Sequence, residues 1–174
     1  MYVYINKMND IISFIKTAPE IISVGTEIPM SSNSDGTIVA IGNSNILKVF
    51  NTKFGVTSQI GTDKALDDGT AVITSVSLSA DGTIVACSHN NVVNIYQYTN
   101  SWGNFGGIID LGLVVLKVSL SADGKTVAIG AKNTRDGNKA FVRVYVRDAS
   151  KNSAQLDQTQ PNYGPVGWNR VGGD

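Results

Sequence analysis

The sequence predicts an all-β fold built from repeated four-stranded antiparallel units, and three observations support this prediction. An Asp-Gly pair recurs at Asp35, Asp81 and Asp123, with spacings of 46 and 42 residues. Each pair is followed by runs in which apolar residues alternate with small or polar ones, as in strands with one buried face. Each copy closes with a β-capable segment that ends in glycine and an acid.

The Asp-Gly pairs predict the first turn of each unit. They lie within the segments SNSDGTIVAIGNS, LSADGTIVACSHN and LSADGKTVAIGAK. Asp-Gly between two β runs favours a hairpin, because glycine accepts a positive φ and aspartate bonds the neighbouring backbone. We therefore expect each pair to join an inner strand to a second strand.

The third and fourth strands follow in the same order in each copy. Third strands are predicted in ILKVF, VVNIY and VRVYV, which end at Phe50, Tyr96 and Val146. Fourth strands are predicted in the glycine-acid segments at 21–27, 58–63, 105–110 and 168–174. A unit of roughly 40 to 45 residues with four antiparallel strands has the period of a β-propeller blade. One such sheet cannot bury both of its faces alone, so neighbouring sheets must stack on it.

A family resemblance follows from these motifs. The stretch VSLSADGTIVACSHNNVVNIY resembles the core of a WD repeat, and the longer unit is similar to the WD-like and FG-GAP-like repeats of microbial eukaryotes and large DNA viruses. The resemblance covers roughly residues 21–174. Phe50, Tyr96 and Tyr145 stand where a WD repeat has tryptophan, and no Gly-His pair opens a unit. It implies a propeller with blades at 29–63, 71–110 and 114–174 in one domain, 1–174.

Residues 1–27 resemble only the third and fourth strands of a blade, and propellers usually need at least four blades to close. We favour a ring of roughly six to eight blades that two or more chains share. Two alternatives stay open: residues 1–27 fold back as an imperfect fourth blade, or the chain is a piece of a longer protein. The segment 9–18 also predicts a short helix with an apolar face for a partner.

Composition limits the partners. Fourteen basic residues balance fourteen acidic ones, so we expect neither nucleic acid nor a membrane surface as partner. Cys87 is the single cysteine, which fits a reducing compartment. There are no 18 consecutive apolar residues, the length that a membrane-spanning helix needs. We expect a soluble intracellular protein, cytoplasmic by default or in a virion if viral, with binding loops at 131–140 and 147–167.

Candidates for chemistry are few. Cys87 and His89, the single histidine, could approach each other on one strand face, but we expect a buried thiol and a turn histidine. Calcium could use Asn33 and Asp35, or the segments 63–69 and 133–138; hairpin chemistry explains the repeated Asp-Gly pairs without it. We therefore assign no catalytic, cofactor or metal residue.

Glycan chemistry would need two carboxylates that converge on a cleft. The candidate acids all lie at predicted strand ends or turns: Asp63, Asp67, Asp68, Asp110, Asp136 and Asp174. Trp102 and Trp168 hold matching positions before Gly-Gly pairs, and we expect them to pack between blades rather than contact a ligand.

The function that we predict is a non-enzymatic protein-interaction or scaffold module, with protein partners that include copies of itself. The alternatives are a propeller enzyme that acts on glycans at the centre of an oligomeric ring, and a lectin-like sugar binder. An acid pair near the ring axis would favour the enzyme, and an acid-poor axis would favour the module. No small-molecule ligand is assigned.

Overall fold

The computed structural model describes residues 28–53, 57–66, 71–150 and 167–171. Over these ranges the chain is all-β and forms three antiparallel sheets. The same ranges hold no helix long and apolar enough to cross a membrane. The predicted partial blade 1–27, the predicted helix 9–18 and most of the predicted loop 147–167 lie outside the described residues.

Sheet 1 has the order β1-β2-β3, with two short strands that pair with opposite ends of the outer edge of β3. Its strands are β1 (Met30–Ser32), β2 (Ile38–Asn43), β3 (Ile46–Asn51), β4 (Ser58–Gln59) and β5 (Lys64–Ala65). The prediction of one continuous outer strand at 58–63 is wrong. The chain bends at Gly61, where φ is 73°, and a left-handed residue interrupts a strand ladder.

Sheet 2 repeats this arrangement. Its strands are β6 (Ile73–Leu78), β7 (Ile84–His89), β8 (Val92–Tyr98), β9 (Trp102–Asn104) and β10 (Ile109–Asp110), with β9 and β10 both paired to β8. The predicted outer strand at 105–110 forms only over its last two residues. Gly106, with φ of 101°, breaks it as Gly61 does in sheet 1.

Sheet 3 contains β11 (Val114–Leu120), β12 (Thr126–Asn133), β13 (Lys139–Arg147) and β14 (Trp168–Val171) in that order. The predicted binding loop at 131–140 is therefore partly strand, because β12 ends at Asn133 and β13 begins at Lys139. β12 and β13 have eight and nine residues, whereas β2 and β3 have six each.

The registers of the three sheets are equivalent. Val39 lies opposite Phe50, Val85 opposite Tyr96, and Val127 opposite Tyr145. Alternate residues of a strand point to opposite faces, so each sheet has two packing faces. We call the face toward the preceding sheet the leading face and the face toward the following sheet the trailing face.

Two apolar cores lie between these faces. Between sheets 1 and 2 the buried residues are Ala40, Leu47, Val49, Leu66, Ile73, Val76, Leu78, Val85, Cys87, Tyr96 and Trp102. The core between sheets 2 and 3 contains Ile84, Ala86, Val93, Ile95, Ile109, Leu111, Val115, Val118, Val127, Ile129, Tyr145 and Trp168. The trailing face of one sheet therefore packs on the leading face of the next.

Candidate functional site

The Asp-Gly turns are built from the same hydrogen bonds in each sheet. In sheet 2 the Ser79 hydroxyl donates to Asp81 Oδ1 at 2.6 Å and accepts the N–H of Ile84 at 2.9 Å. Asp81 also accepts the Thr83 N–H at 2.9 Å. Gly82 takes φ of 74°, which confirms the predicted positive φ. The turn is closed by its own side chains.

The other two turns keep this scheme with one substitution. In sheet 3, Ser121 and Asp123 repeat the bonds of the sheet 2 turn. In sheet 1, Asn33 Oδ1 takes the place of the serine hydroxyl and accepts the Ile38 N–H at 2.9 Å, while Asp35 Oδ1 accepts the Thr37 N–H at 2.9 Å. The oxygens of the two calcium candidates thus serve the turn, and no cluster of three or more metal-ligating acids, histidines or cysteines occurs in the described ranges.

The turns also lower the pKa of two carboxyl groups. Partial desolvation raises the pKa of Asp81, but the hydrogen bonds from Ser79 and Thr83 outweigh it, so the pKa lies below the ordinary 3.8. For Asp123 the hydrogen bond from Ser121 and then that from the Lys125 N–H lower the pKa below 3.8. The hydrogen bonds of each turn favour the charged carboxylate, so the negative charge helps to hold the turn together.

Hydrogen bonds also connect successive sheets through equivalent groups. The Ser34 N–H donates to the Ala80 carbonyl at 3.1 Å, and the Ala80 N–H donates to the Ala122 carbonyl at 2.8 Å. On the inner strands, Ser31 Oγ accepts the Leu78 N–H at 3.0 Å, and Ser77 Oγ accepts the N–H of Leu120 at 2.9 Å. The polar contacts therefore repeat together with the apolar cores.

The two tryptophans contact the preceding sheet, as their matching positions predict. Trp102 Nε1 donates to the Ile60 carbonyl at 2.8 Å, and Trp168 Nε1 donates to the Phe105 carbonyl at 3.1 Å. Both indoles are buried. Their N–H groups bond the backbone at the bend of the neighbouring outer strand, so they pack between sheets.

Cys87 and His89 lie on β7. The thiol is buried, as expected. The expectation of a turn histidine is wrong, because His89 is the last residue of the strand and is almost fully buried. The imidazole Nε2 lies 3.0 Å from the side-chain nitrogen of Asn94, which is also buried. The contact gives Nε2 of the buried imidazole a polar neighbour on β8.

The acids proposed for glycan chemistry lie at exposed sites. Asp63 forms an ion pair with Lys48 at 3.3 Å. Asp110 accepts a hydrogen bond from the Asn91 amide at 2.6 Å, and Asp136 pairs with a lysine of its own turn. Asp67, Asp68 and Asp174 lie outside the described residues. None of the described acids lines the groove described next, although Asp110 bonds Asn91, which does.

A groove of about 520 Å³ runs along the inner strands of all three sheets. Its lining combines exposed apolar side chains with hydroxyls and one cation, including Met30, Val72, Thr74, Ser75, Lys117 and Val118. A second groove of about 480 Å³ shares Val72 and Thr74 and adds Asn90 and Asn91. The described lining of both grooves contains no carboxylate. We call the pair the inner-strand groove.

Sequence reasoning did not find this groove. In the sequence, Met30 resembles an ordinary strand residue and Val72 an ordinary linker residue. Both side chains are exposed, and they line one groove only because β1, β6 and β11 lie close together. The serines that connect the sheets were also missed, although Ser77 and Ser119 recur at the same place in the two VSLSADG copies.

Comparison with known proteins adds only structural likeness. No protein-family model matches the chain, and no curated protein matches it. Among solved structures, the chain is similar to a complex of KlAtg21 with the coiled coil of AgAtg16, with TM-score 0.55, 12% identity and 71% of this chain covered. At this identity the likeness concerns the fold alone.

Two further structures are similar. One is a functionally unknown protein from Desulfotomaculum acetoxidans, with TM-score 0.54, 16% identity and 75% of this chain covered. The other is Kuenenia stuttgartiensis hydrazine synthase, with TM-score 0.50, 15% identity and 73% covered. The chain spans 40% of the KlAtg21 complex chain, 43% of the Desulfotomaculum protein and 35% of the hydrazine synthase chain.

Proposed function

We propose that the three sheets are blades of a WD-like or FG-GAP-like β-propeller and that the protein is a non-enzymatic interaction module. The observation that carries this proposal is the inner-strand groove. It lies where the inner strands of successive sheets converge, which is where a propeller has its central channel. Exposed apolar side chains with few charges are typical of surfaces that another protein covers.

The chemistry of the groove favours a protein partner over a glycan substrate. Lys117 is the one charged residue in its described lining, so the glycosidase arrangement of two facing carboxylates has no counterpart there. A backbone or side-chain acceptor of a partner peptide would pair with Lys117 while apolar side chains cover Val72. Sugar binding would call for stacking aromatics, and the described lining has none.

One structural neighbour gives general support for protein binding. That neighbour is a complex with a coiled coil. The likeness of fold lets us propose, for this chain, that a protein segment is bound as well. The identity of such a segment does not transfer, because function depends on the site and not on the fold.

Site-specific photo-crosslinking tests this function. A photoreactive residue at Val72 is expected to give adducts with one protein when the chain is expressed in its own cells. The matched control places the same residue at Asn100, which is exposed on the turn between β8 and β9, and gives no such adduct. Lys117→Glu should weaken the Val72 adduct by about five- to tenfold, as loss of a charged contact does.

A different result would contradict the proposal. If Val72 gives no protein adduct while the purified chain releases sugar from a glycan panel, the enzyme alternative replaces the module. If the chain binds a glycan array without hydrolysis, and Lys117→Glu abolishes that binding, the sugar-binding alternative replaces it.

A further inference from the structure

The trailing face of sheet 3 is the open counterpart of two buried faces. Val142 holds the register position of Leu47 and Val93. Those two side chains are 1% and 0% exposed, whereas Val142 is 68% exposed. Ala128 likewise holds the position of Ala86 and is only partly buried. The face has the apolar character of a sheet interface but is covered by no described sheet.

The polar groups that hold one sheet to the next are also present on this face. Ser119 holds the register position of Ser31 and Ser77, whose hydroxyls accept the N–H groups of Leu78 and Leu120. Ser119 is exposed, and its hydroxyl has no partner in the described part of the chain. It is positioned to accept an N–H from a further inner strand.

The turn and the outer strand extend this pattern. Ala122 follows Ala80 in the series of turn bonds, and its own N–H has no acceptor among the described residues. Val171, 55% exposed, stands at the position of Phe105, whose carbonyl accepts the indole N–H of Trp168. Inner strand, turn and outer strand therefore all repeat the groups used between sheets.

On the leading side of sheet 1, the inner strand is exposed where the equivalent strands of sheets 2 and 3 are covered. Met30 holds the register position of Val76 and Val118. Those valines are 7% exposed because a preceding sheet covers them, whereas Met30 is 45% exposed. Val39 and Ile41 on the same sheet are buried, so the open part of this leading side is the inner strand and its turn.

We propose that a second copy of the chain docks on the trailing face of sheet 3 through the leading side of its own sheet 1. The occupant follows from continuity, because this contact repeats the inner-strand and turn hydrogen bonds that join sheet 1 to sheet 2 and sheet 2 to sheet 3. In it, Ser119 Oγ accepts the N–H of Ser32 in the second copy, and the Ala122 N–H donates to the carbonyl of Ser34 in that copy.

Such a contact is head-to-tail, so it either closes a ring or extends further. Two copies supply six sheets, which lies within the roughly four to eight blades of known propellers. The inference goes beyond the groove proposal, because it uses the trailing face of sheet 3 and names the partner as the chain itself. It shares with that proposal the propeller architecture and Met30, which also lines the groove.

Light scattering coupled to size exclusion, on the full chain over a wide range of concentration, tests the contact. The wild type is expected at twice 18.4 kDa or more. Val142→Lys on sheet 3 and Met30→Lys on sheet 1 should each give 18.4 kDa. Ile108→Lys is the matched control, because Ile108 is 51% exposed and lies on neither docking surface; it should stay assembled.

Mixing the two defective variants distinguishes this contact from a symmetric one. A Val142→Lys chain retains its sheet 1 surface and a Met30→Lys chain retains its sheet 3 surface, so the mixture should form a one-to-one pair. If two sheet 3 faces paired symmetrically instead, Met30→Lys would stay assembled and mixing would restore nothing, and the proposal would be overturned.

A third variant distinguishes loss of assembly from misfolding. Ala122→Pro removes the donor N–H at the second position of a turn whose ends are Ser121 and Gly124, a position that proline favours. It should fold and lose assembly. A wild type at 18.4 kDa at every concentration overturns self-assembly, whereas the Val72 crosslink separately decides the groove proposal.

Discussion

Sheets 2 and 3 share one sequence pattern but differ in what covers them. In sheet 2 every residue of β7 is buried. In sheet 3 the equivalent strand β12 alternates between buried and partly exposed residues. The turn, the register and the position of the tryptophan are the same in both. Turn chemistry and pairing are thus local properties, while burial depends on the neighbouring sheet.

Because of this difference, the same substitution at equivalent positions should change the free energy of unfolding by different amounts. The largest difference is expected between Val93 and Val142. Val93→Asp would bury an unpaired carboxylate in the core between sheets 2 and 3, which should lower the free energy of unfolding by several kcal/mol. Val142→Asp puts the charge in water and should change the free energy of unfolding by under about 0.5 kcal/mol. Urea unfolding of the unassembled chain measures both, and similar losses would refute the comparison.

Two glycines should separate crowding from backbone strain. A Cβ on Gly82 would lie 2.5 Å from Ile38 Cδ1, whereas a Cβ on Gly137 would have no described heavy atom within 4 Å beyond its two chain neighbours. Both residues have positive φ. Gly137→Ala should cost about 1–2 kcal/mol from strain, and Gly82→Ala about 1–3 kcal/mol more from overpacking. Thermal unfolding gives the ranking; equal costs would mean that Ile38 moves aside freely.

A proline pair tests the hydrogen bonds between turns. Ala80→Pro removes the N–H that donates to Ala122 across the interface of sheets 2 and 3, so the free energy of unfolding should fall by about 1 kcal/mol. Ala122→Pro removes no bond within the described chain and should leave the stability of the single chain nearly unchanged. Chemical denaturation measures the two variants; a larger loss for Ala122→Pro would contradict the assignment.

The smallest expected effect is a pH dependence that both turns share. The pKa values of Asp81 and Asp123 are lowered from 3.8 in the folded state. Their stabilisation is therefore complete above about pH 3.8 and is lost as the pH falls through the folded pKa values. The melting temperature should drop in this acid range, and Asp81→Asn should flatten part of the drop. An unchanged profile in that variant would exclude the turn as its source.

Much of this fold could be predicted because its signals are local. Asp-Gly and strict alternation indicate the turn and the strands, and both depend on neighbours in sequence. The split outer strands could not be predicted, because Gly61 and Gly106 appear as strand residues until tertiary contacts bend the chain there. The groove could not be predicted either, since it depends on how three sheets are placed around one another.

The candidate residues divide in the same way. The packing role of Trp102 and Trp168 was predictable from their matching positions in two repeats. His89 was not, because a polar residue beside Asn90 and Asn91 resembles a turn. Its burial depends on pairing with Asn94, three residues beyond that turn. A residue that occurs in one repeat only cannot be interpreted by comparison with the other repeats.

The bonds between turns all point the same way, from Ser34 to Ala80 and from Ala80 to Ala122. The turn bonds consequently give the stack polarity, with a donor N–H at the Ala122 turn of sheet 3 and an acceptor carbonyl at the Ser34 turn of sheet 1, while the serine bonds of the inner strands run the opposite way. A unit added upside down would place donor against donor and be rejected. Gene duplication could therefore lengthen such a stack without new surface design, because each added unit inherits a correctly directed end.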